Sequence, residues 1–345
     1  MRDGYGRDID YMRISVTDRC DLRCRYCMPP EGVRSVSHDE ILRFDEILRL
    51  TRLFAEAGIK KIKITGGEPT VRRGVIDLIG EIRGLPGIEE VTMTTNGLRM
   101  GREPEMAHHL AEAGVSGINL SLDTLREDRY RQITGTDGLH DVLRAVDSCC
   151  AEPELRVKIN TVTMADWNGD EIEALAGLAR DRRIDVRFIE MMPMGMGRDF
   201  RGYSQDQIMA RLEAAYGPAA GYEGPGRGSG PAVYYDFEGF MGKVGFISAL
   251  SHRFCESCNR LRLTPEGFLK PCLQYAEGVD LRSLLRGGAD DETLAEEIRR
   301  GIFEKPRQHG FCGEGTDPRD PEKSGEPAEA DLRKKDERLM SGIGG

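Results

Sequence analysis

Apolar runs of strand character alternate with helical patterns through the first two-thirds of this chain, and that alternation constrains the fold more than any other feature. The strand-like runs are Tyr11–Val16, Lys61–Thr65, Glu90–Thr95, Ser116–Leu120, Leu155–Val162 and Asp185–Glu190. Between them, Ile41–Ala57 and Glu171–Asp181 carry apolar residues three and four apart, the spacing of an amphipathic helix. Such a repeat argues for parallel strands joined by crossover helices. Six units are too few to close the usual eight-stranded barrel. The expectation is an α/β fold, an open, partial (β/α)6 TIM-like barrel over residues 1–220 with its site at the C-terminal ends of the strands.

The pattern changes after that point. Residues 221–231 hold Gly224, Gly226, Gly228 and Gly230 with two prolines and little to bury. No strand enters this stretch and no helix leaves it, so it reads as a flexible linker rather than a phosphate-cradling loop. Residues 232–305 carry hairpin-like runs (Ala232–Phe237, Lys243–Ser248, Arg260–Leu263) and helices near Leu281 and Leu294, a smaller C-terminal α+β extension. Residues 306–345 are charged and proline-bearing, and read as a flexible tail that ends in Gly344-Gly345.

A chain of 345 residues, 39% apolar and 31% charged, reads as a soluble globular protein. It has no run of about 18 apolar residues, and Met1–Arg13 lacks the apolar stretch of a signal peptide, so a cytoplasmic protein without a membrane partner is expected. The net charge of −10 argues against nucleic acid, although a local basic pocket remains open. Nine cysteines in a reducing compartment are better read for metals than for disulfides.

Six of them form two triplets. Cys20, Cys24 and Cys27 follow the first strand, spaced to wrap three irons of a cube whose fourth iron stays open. A structural zinc would want a fourth ligand, and His38 is the nearest candidate. Cys255, Cys258 and Cys272 form the second triplet, where a cluster is again favoured over a zinc site completed by His252. Cys149 and Cys150 read as helix packing and Cys312 as an exposed thiol. His108, His109 and His140 lack ligand spacing.

The first triplet resembles that of the radical S-adenosylmethionine superfamily, and Thr65-Gly66-Gly67-Glu68-Pro69 resembles its GGEP motif. Two glycines there let backbone approach a ligand, and Glu68 offers an acceptor for an ammonium group. The run Cys258-Asn259-Arg260-Leu261-Arg262-Leu263-Thr264 resembles the GTP 3′,8-cyclases of molybdenum-cofactor synthesis. So do Arg13 to Cys20, Thr94-Thr95-Asn96-Gly97, Arg187 to Met192 and the terminal double glycine. The likeness runs from Tyr11 to Gly345.

Several basic residues point the same way on pattern alone. Arg260 and Arg262 are two apart on a strand and so share a face. Lys63 and Lys158 interrupt the apolar alternation of their strands, and no P-loop is present. The resemblance implies GTP contacts from Arg13, Lys63, Thr94, Lys158, Arg260, Leu261 (by backbone) and Arg262. It implies S-adenosylmethionine contacts from Tyr26, Gly67, Ser121 and Met192, the last of which could otherwise be core. Two 4Fe–4S clusters, one per triplet, are implied as well, with Arg13, Gly344 and Gly345 as catalytic residues. In the implied reaction a 5′-deoxyadenosyl radical takes the ribose 3′ hydrogen of GTP, and C3′ closes onto guanine C8. The product is (8S)-3′,8-cyclo-7,8-dihydroguanosine 5′-triphosphate. An electron donor and a downstream cyclic pyranopterin monophosphate synthase are the implied partners; a homodimer is left open. A peptide-modifying radical enzyme with an auxiliary cluster is the rival reading, and an electron-transfer protein the rival of another class.

Overall fold

The computed structural model describes residues 1–32, 36–311, 334–336, 338 and 340–343. Six parallel strands form its centre: β1 (Tyr11–Ser15), β2 (Lys61–Thr65), β3 (Glu90–Thr95), β4 (Val115–Ser121), β5 (Arg156–Val162) and β6 (Asp185–Ile189). Crossover helices cover one face. Helix α1 (Phe44–Glu56) begins where the Glu46 carboxylate accepts the Arg43 N–H at 2.7 Å. Its Ile47, Leu50, Leu53 and Phe54, three and four apart, are buried against the sheet. Helix α2 (Val75–Arg83) covers β2 and β3; α3 (Leu98–Arg102) and α4 (Glu105–Glu112) precede β4. Helices α5 (Glu127–Thr134) and α6 (Leu139–Ala151) lead to β5, and α7 (Ile172–Asp181) to β6. Each fully buried aliphatic side chain in this layer contributes about 1.5–3 kcal/mol.

The strands' other face is polar. In β3, Val91 and Met93 are buried toward the helices, while Glu90, Thr92 and Thr94 line a cavity on the opposite side. In β2, Ile62 and Ile64 alternate with Lys63 in the same way. The two-residue period of a strand thus sorts core from lumen. A closed barrel packs its inside with branched apolar side chains; this one presents lysine, threonine and arginine.

Helix α8 (Gln205–Tyr216) leads into the C-terminal segment, and its strands do not form a separate sheet. They extend both edges of the first one. After β7 (Ala220–Gly221) and β8 (Val233–Asp236), β9 (Val244–Ile247) runs parallel to β6. Strand β10 (Arg260–Leu263) runs parallel to β1, with β11 (Phe268–Lys270) and β12 (Val279–Asp280) beyond it. The sheet therefore holds eight parallel strands, yet stays open because β9 and β10 lie at opposite ends of its parallel part. Helices α9 (Leu281–Arg286) and α10 (Asp291–Phe303) close the segment, α10 packing on α1.

Two stretches are more tightly held than their composition suggests. In the glycine-rich stretch, Arg227 forks onto Asp185 at 2.6 and 2.8 Å, and Ser229 Oγ donates to Glu90 Oε2 at 2.6 Å. The start of the tail is pinned by Arg7, whose guanidinium donates to the carbonyls of Pro306 and Arg307 at 2.7 and 2.8 Å. Further on, the Ala276 N–H donates to the Lys334 carbonyl at 2.8 Å, and a last short helix, α11 (Met340–Ile343), packs Ile343 against Met194 and Leu273.

Candidate active site

One cavity of about 370 Å³ runs through the lumen, and every cysteine of both triplets lines it. Cys20, Cys24 and Cys27 lie at the C-terminal end of β1, in a loop held to its neighbours by backbone bonds. The Gly67 N–H donates to the Thr17 carbonyl at 2.6 Å, and the Glu68 N–H to the Arg19 carbonyl at 2.7 Å. A Cβ on Gly67 would stand 2.2 Å from the Arg19 oxygen, so only glycine lets these two loops meet. Glu68, read from the sequence as an acceptor for an ammonium group, has its carboxylate engaged within the fold. It accepts from the Thr70 N–H and hydroxyl, the Thr95 hydroxyl and the Asn96 N–H, at 2.7 to 3.0 Å. It binds the ends of β2 and β3 together.

The first triplet fits a metal group that carries its own positive charge. Burial pushes the Cys20 thiol up to about 12 and Cys24 well above its ordinary value. After burial, the charged groups that act most on them are the carboxylates of Glu68, Asp21 and Asp123 together with the other thiols, all of which disfavour their thiolates. Cys255, Cys258 and Cys272 sit in another setting. Burial would raise Cys258, but Lys305 and Arg260 bring it down to about 6. Lys305 is itself buried, and its ammonium donates to the carbonyls of Arg260 and Pro271 at 2.8 and 2.5 Å. His252, the candidate zinc ligand, is turned toward Ser251 and Asp206, 3.2 and 3.7 Å away. Among the described residues no three His, Cys, Asp or Glu side chains converge at the spacing of a single ion. A multi-iron group, in which each sulfur takes a separate iron, asks for a wider spacing.

Tyr26, Gly67, Ser121 and Met192 line the cavity beside the first triplet. The Tyr26 hydroxyl donates to Asp123 Oδ2 at 2.7 Å, and burial raises the Asp123 carboxyl to about 6. Asp123 escaped sequence reading, although Ser121-Leu122-Asp123 at the end of β4 marks where it would fall. Lys305, which orders the second triplet, carried no local signal.

The cations come together as well. Arg13, Lys63, Lys158, Arg260 and Arg262 all line the cavity, as does Thr94. Leu261 does not; it is fully buried between the two arginines, its strand hydrogen-bonded along β1. Arg187 joins them, its guanidinium donating to Asn119 and Asn160 at 2.7 and 2.9 Å. Burial, then the like charges of Arg187 and Arg13, lowers Lys63 well below the ordinary range. Burial and Arg187 bring Lys158 to about 7, and burial with Arg13 and Arg260 brings Arg262 to about 9. The buried Arg262 Nε has no hydrogen-bond partner among the described residues. Such a cluster is built for a polyanion.

The tail reaches the same cavity through Met340, which lines it. Gly344 and Gly345 lie outside the described residues, as does Cys312. Cys149 is buried with its thiol 3.1 Å from Met100 Sδ, and Cys150 is exposed.

A family model described as the radical SAM superfamily matches residues 14–179, and one described as Molybdenum Cofactor Synthesis C matches residues 184–311. The chain is 47% identical over 311 residues, 90% of its length and 95% of the relative's, to the GTP 3′,8-cyclase of Clostridium perfringens strain 13. It is 44% identical over 349 residues, the whole of both chains, to the GTP 3′,8-cyclase of Heliobacterium modesticaldum. Among solved structures it is similar to Streptococcus suis SuiB, with a TM-score of 0.60 at 15% identity over 87% of this chain and 66% of that one. SuiB bound to S-adenosylmethionine gives 0.57 at 16%, over 85% and 68%. At that identity the likeness concerns the fold.

Proposed function

The chain belongs to the GTP 3′,8-cyclase family of radical S-adenosylmethionine enzymes, and we propose that its two cysteine triplets serve opposite ends of one substrate cavity. It acts in molybdenum-cofactor biosynthesis, converting GTP to the 3′,8-cyclised nucleotide. Cys20, Cys24 and Cys27 hold the iron–sulfur cluster of the superfamily; Cys255, Cys258 and Cys272 hold a second one, in our reading, on the guanine side. With S-adenosylmethionine bound, the first cluster supplies one-electron chemistry that ends in a carbon radical able to take a hydrogen atom from a ribose.

The chain's own residues then decide which hydrogen is taken and which bond forms next. Tyr26, Gly67, Ser121 and Met192 seat S-adenosylmethionine, with Tyr26 fixed by Asp123. Lys63 and Lys158 take the phosphates, while Arg260 and Arg262 offer planar forks to the guanine end, Thr94 and the Leu261 backbone adding polar contacts. Holding both ends of the nucleotide sets C3′ against the radical and C8 against C3′, which is positioning catalysis. Closure leaves an odd electron that one electron and one proton must quench. Arg13 lies in the lumen among Arg260 and Arg187, and burial with those charges lowers its pKa. Its positive charge can stabilise the developing anion.

The carrying observation is the cavity itself, which brings together both triplets and the cations of β1, β2, β5, β6 and β10. The relatives' names favour a nucleotide over the peptide substrate of the rival reading. Gly344 and Gly345 complete the site in this reading, an electron donor supplies the cluster, and cyclic pyranopterin monophosphate synthase takes the product in the cytoplasm. The test is anaerobic reconstitution, reduction, and incubation with S-adenosylmethionine and GTP. Formation of 5′-deoxyadenosine matched by loss of GTP is expected; 5′-deoxyadenosine with GTP untouched would refute the assignment.

A further inference from the structure

The glycine-rich stretch closes the end of the cavity where the strands begin. Arg227, Gly228, Ser229, Gly230 and Pro231 line it there. Two carboxylates fasten the loop: Asp185, the first residue of β6, takes the fork of Arg227, and Glu90, the first of β3, accepts from Ser229. Those same carboxylates face the lumen's lysines. Asp185 stands directly across the ladder from Lys158, and Glu90 is the anion acting on Lys63. Neither lysine makes a hydrogen bond or ion pair with a described residue; Lys158 only lies 5.6 Å from the Tyr234 ring centre. A Cβ on Gly228, whose φ is +133°, would come within 2.7 Å of Lys158 Nζ, so the loop backbone rests on that ammonium.

We propose that Arg227 sets the preference of this cavity for a nucleoside triphosphate without needing to touch it, by occupying the Asp185 carboxylate that would otherwise pair with Lys158, while Ser229 holds the loop down at Glu90. With the loop seated, Asp185 is engaged and Lys158 is left for the terminal phosphates. With it displaced, Asp185 turns onto Lys158 and competes with phosphate, whereas Glu90 stays paired with Arg156. Seating is favoured because a planar guanidinium fork matches a carboxylate better than a lysine point charge does. Away from bulk water the competition is strong. The inference rests on the proposed reading of Lys63 and Lys158 as the residues that take the phosphates. Arg227 and Ser229 are positioning residues within it.

The test measures affinities of the anaerobically reconstituted protein for GTP, GDP and guanosine. Arg227→Ala should weaken GTP roughly ten- to a hundredfold, the scale of one charge-assisted bond, and leave guanosine unchanged. Adding Asp185→Asn should restore most of the GTP affinity, because the freed competitor is gone; a purely structural role of Arg227 would not be rescued so. Parent-like GTP affinity in Arg227→Ala, or a double variant no better than the single one, overturns the inference. Asp185 also accepts the Lys243 N–H at 3.1 Å. Should the double variant lose its fold, Arg227→Lys, which keeps a charge on Asp185 without the fork, should lose less GTP affinity than Arg227→Ala, and equal loss in the two overturns the inference. Lys158→Met and Lys63→Met separate the two levels. If they leave GTP binding intact, the reading of those lysines fails; if they weaken it while Arg227→Ala does not, only the loop inference falls.

Discussion

Removing the Asp336 carboxylate should release the C-terminal segment from the body of the protein. Lys270, on β11, is fully buried, and among the described residues its ammonium reaches the Tyr275 carbonyl, at 2.7 Å, and the Asp336 carboxylate. Burial brings Lys270 down to about 8 even with that partner. Against burial that would raise it, Arg338 and Lys270 hold the Asp336 carboxyl at about 2. Both groups are therefore charged at neutral pH. Stripping one partner from a buried pair costs about 3–5 kcal/mol. What else docks the segment is the burial of Ile343, worth about 1.5–3 kcal/mol, and backbone bonds such as Asp336 N–H to Gln274 at 2.6 Å.

The loss at least matches the burial of Ile343 and leaves backbone bonds and the longer Arg338–Glu266 pair at 3.7 Å, so Asp336→Ala should undock residues 334–336 and 340–343 rather than unfold the protein. Hydrogen exchange would read this as lost protection at Ala276 and Asp336, with the sheet amides unchanged. Cyclisation of GTP should fall while cleavage of S-adenosylmethionine persists. Lys270→Met with Asp336→Leu, which replaces the pair by apolar side chains, should recover docking. Unchanged protection at Ala276 in Asp336→Ala would refute the reasoning.

The other expected outcomes concern the cavity. Cys24→Ala should abolish reductive cleavage of S-adenosylmethionine, whereas Cys258→Ala should spare slow, uncoupled cleavage and end GTP conversion; equal loss in both counts against the division of roles. Arg262→Ala removes a buried fork and should weaken GTP roughly ten- to a hundredfold in titrations, corresponding to about 1.5–3 kcal/mol, with iron content unchanged. Lys158, held near 7, is mostly neutral at pH 8, and phosphate raises its pKa, so the parent should take up close to one proton more than Lys158→Met on binding GTP at pH 8, and almost no more at pH 6. Calorimetry in buffers of different ionisation heat measures this, and a difference that does not fall between pH 8 and 6 contradicts it. Deleting Gly344 and Gly345 should leave GTP affinity intact and stop cyclisation, as product analysis would show.

Local pattern carried the six central strands, because apolar–polar alternation is written into consecutive residues. Lys61–Thr65 and Glu90–Thr95 fall where the pattern places them. The shared face of Arg260 and Arg262 follows from the same period. What the pattern could not carry was partnership. Nothing near Arg260–Leu263 says that it will pair in parallel with Tyr11–Ser15, yet that pairing sets the second triplet, whose Cys255 and Cys258 precede β10, at the far end of the strands whose other end carries the first. Glycine content made residues 221–231 look loose, whereas Arg227 and Ser229 find carboxylates 42 and 139 residues earlier. Asp336 likewise looked like one of many tail charges until set beside Lys270, 66 residues before it. Glu68 was legible from its motif as an acceptor, and it lines the cavity; the hydroxyls and N–H groups of Thr70, Thr95 and Asn96 that engage it were not.

A lumen of like charges needs a reason, since each buried cation here raises the cost of the next. Lys63 is lowered by Arg187, Arg13 and Lys158, and Arg262 by Arg13 and Arg260. An apolar lumen would fold more stably. In the reading proposed here, the same repulsion makes a triphosphate the ligand that relieves most strain, so binding and ordering of the cavity become one event. That coupling suits the chemistry. A carbon radical released before the nucleotide is seated would attack whatever lies nearest, and a cavity completed only by its polyanion holds the ribose in place first. The contact at Asp336 and the loop at Arg227 serve the same requirement in this reading, each fixed by a charge whose partner lies far away in the sequence.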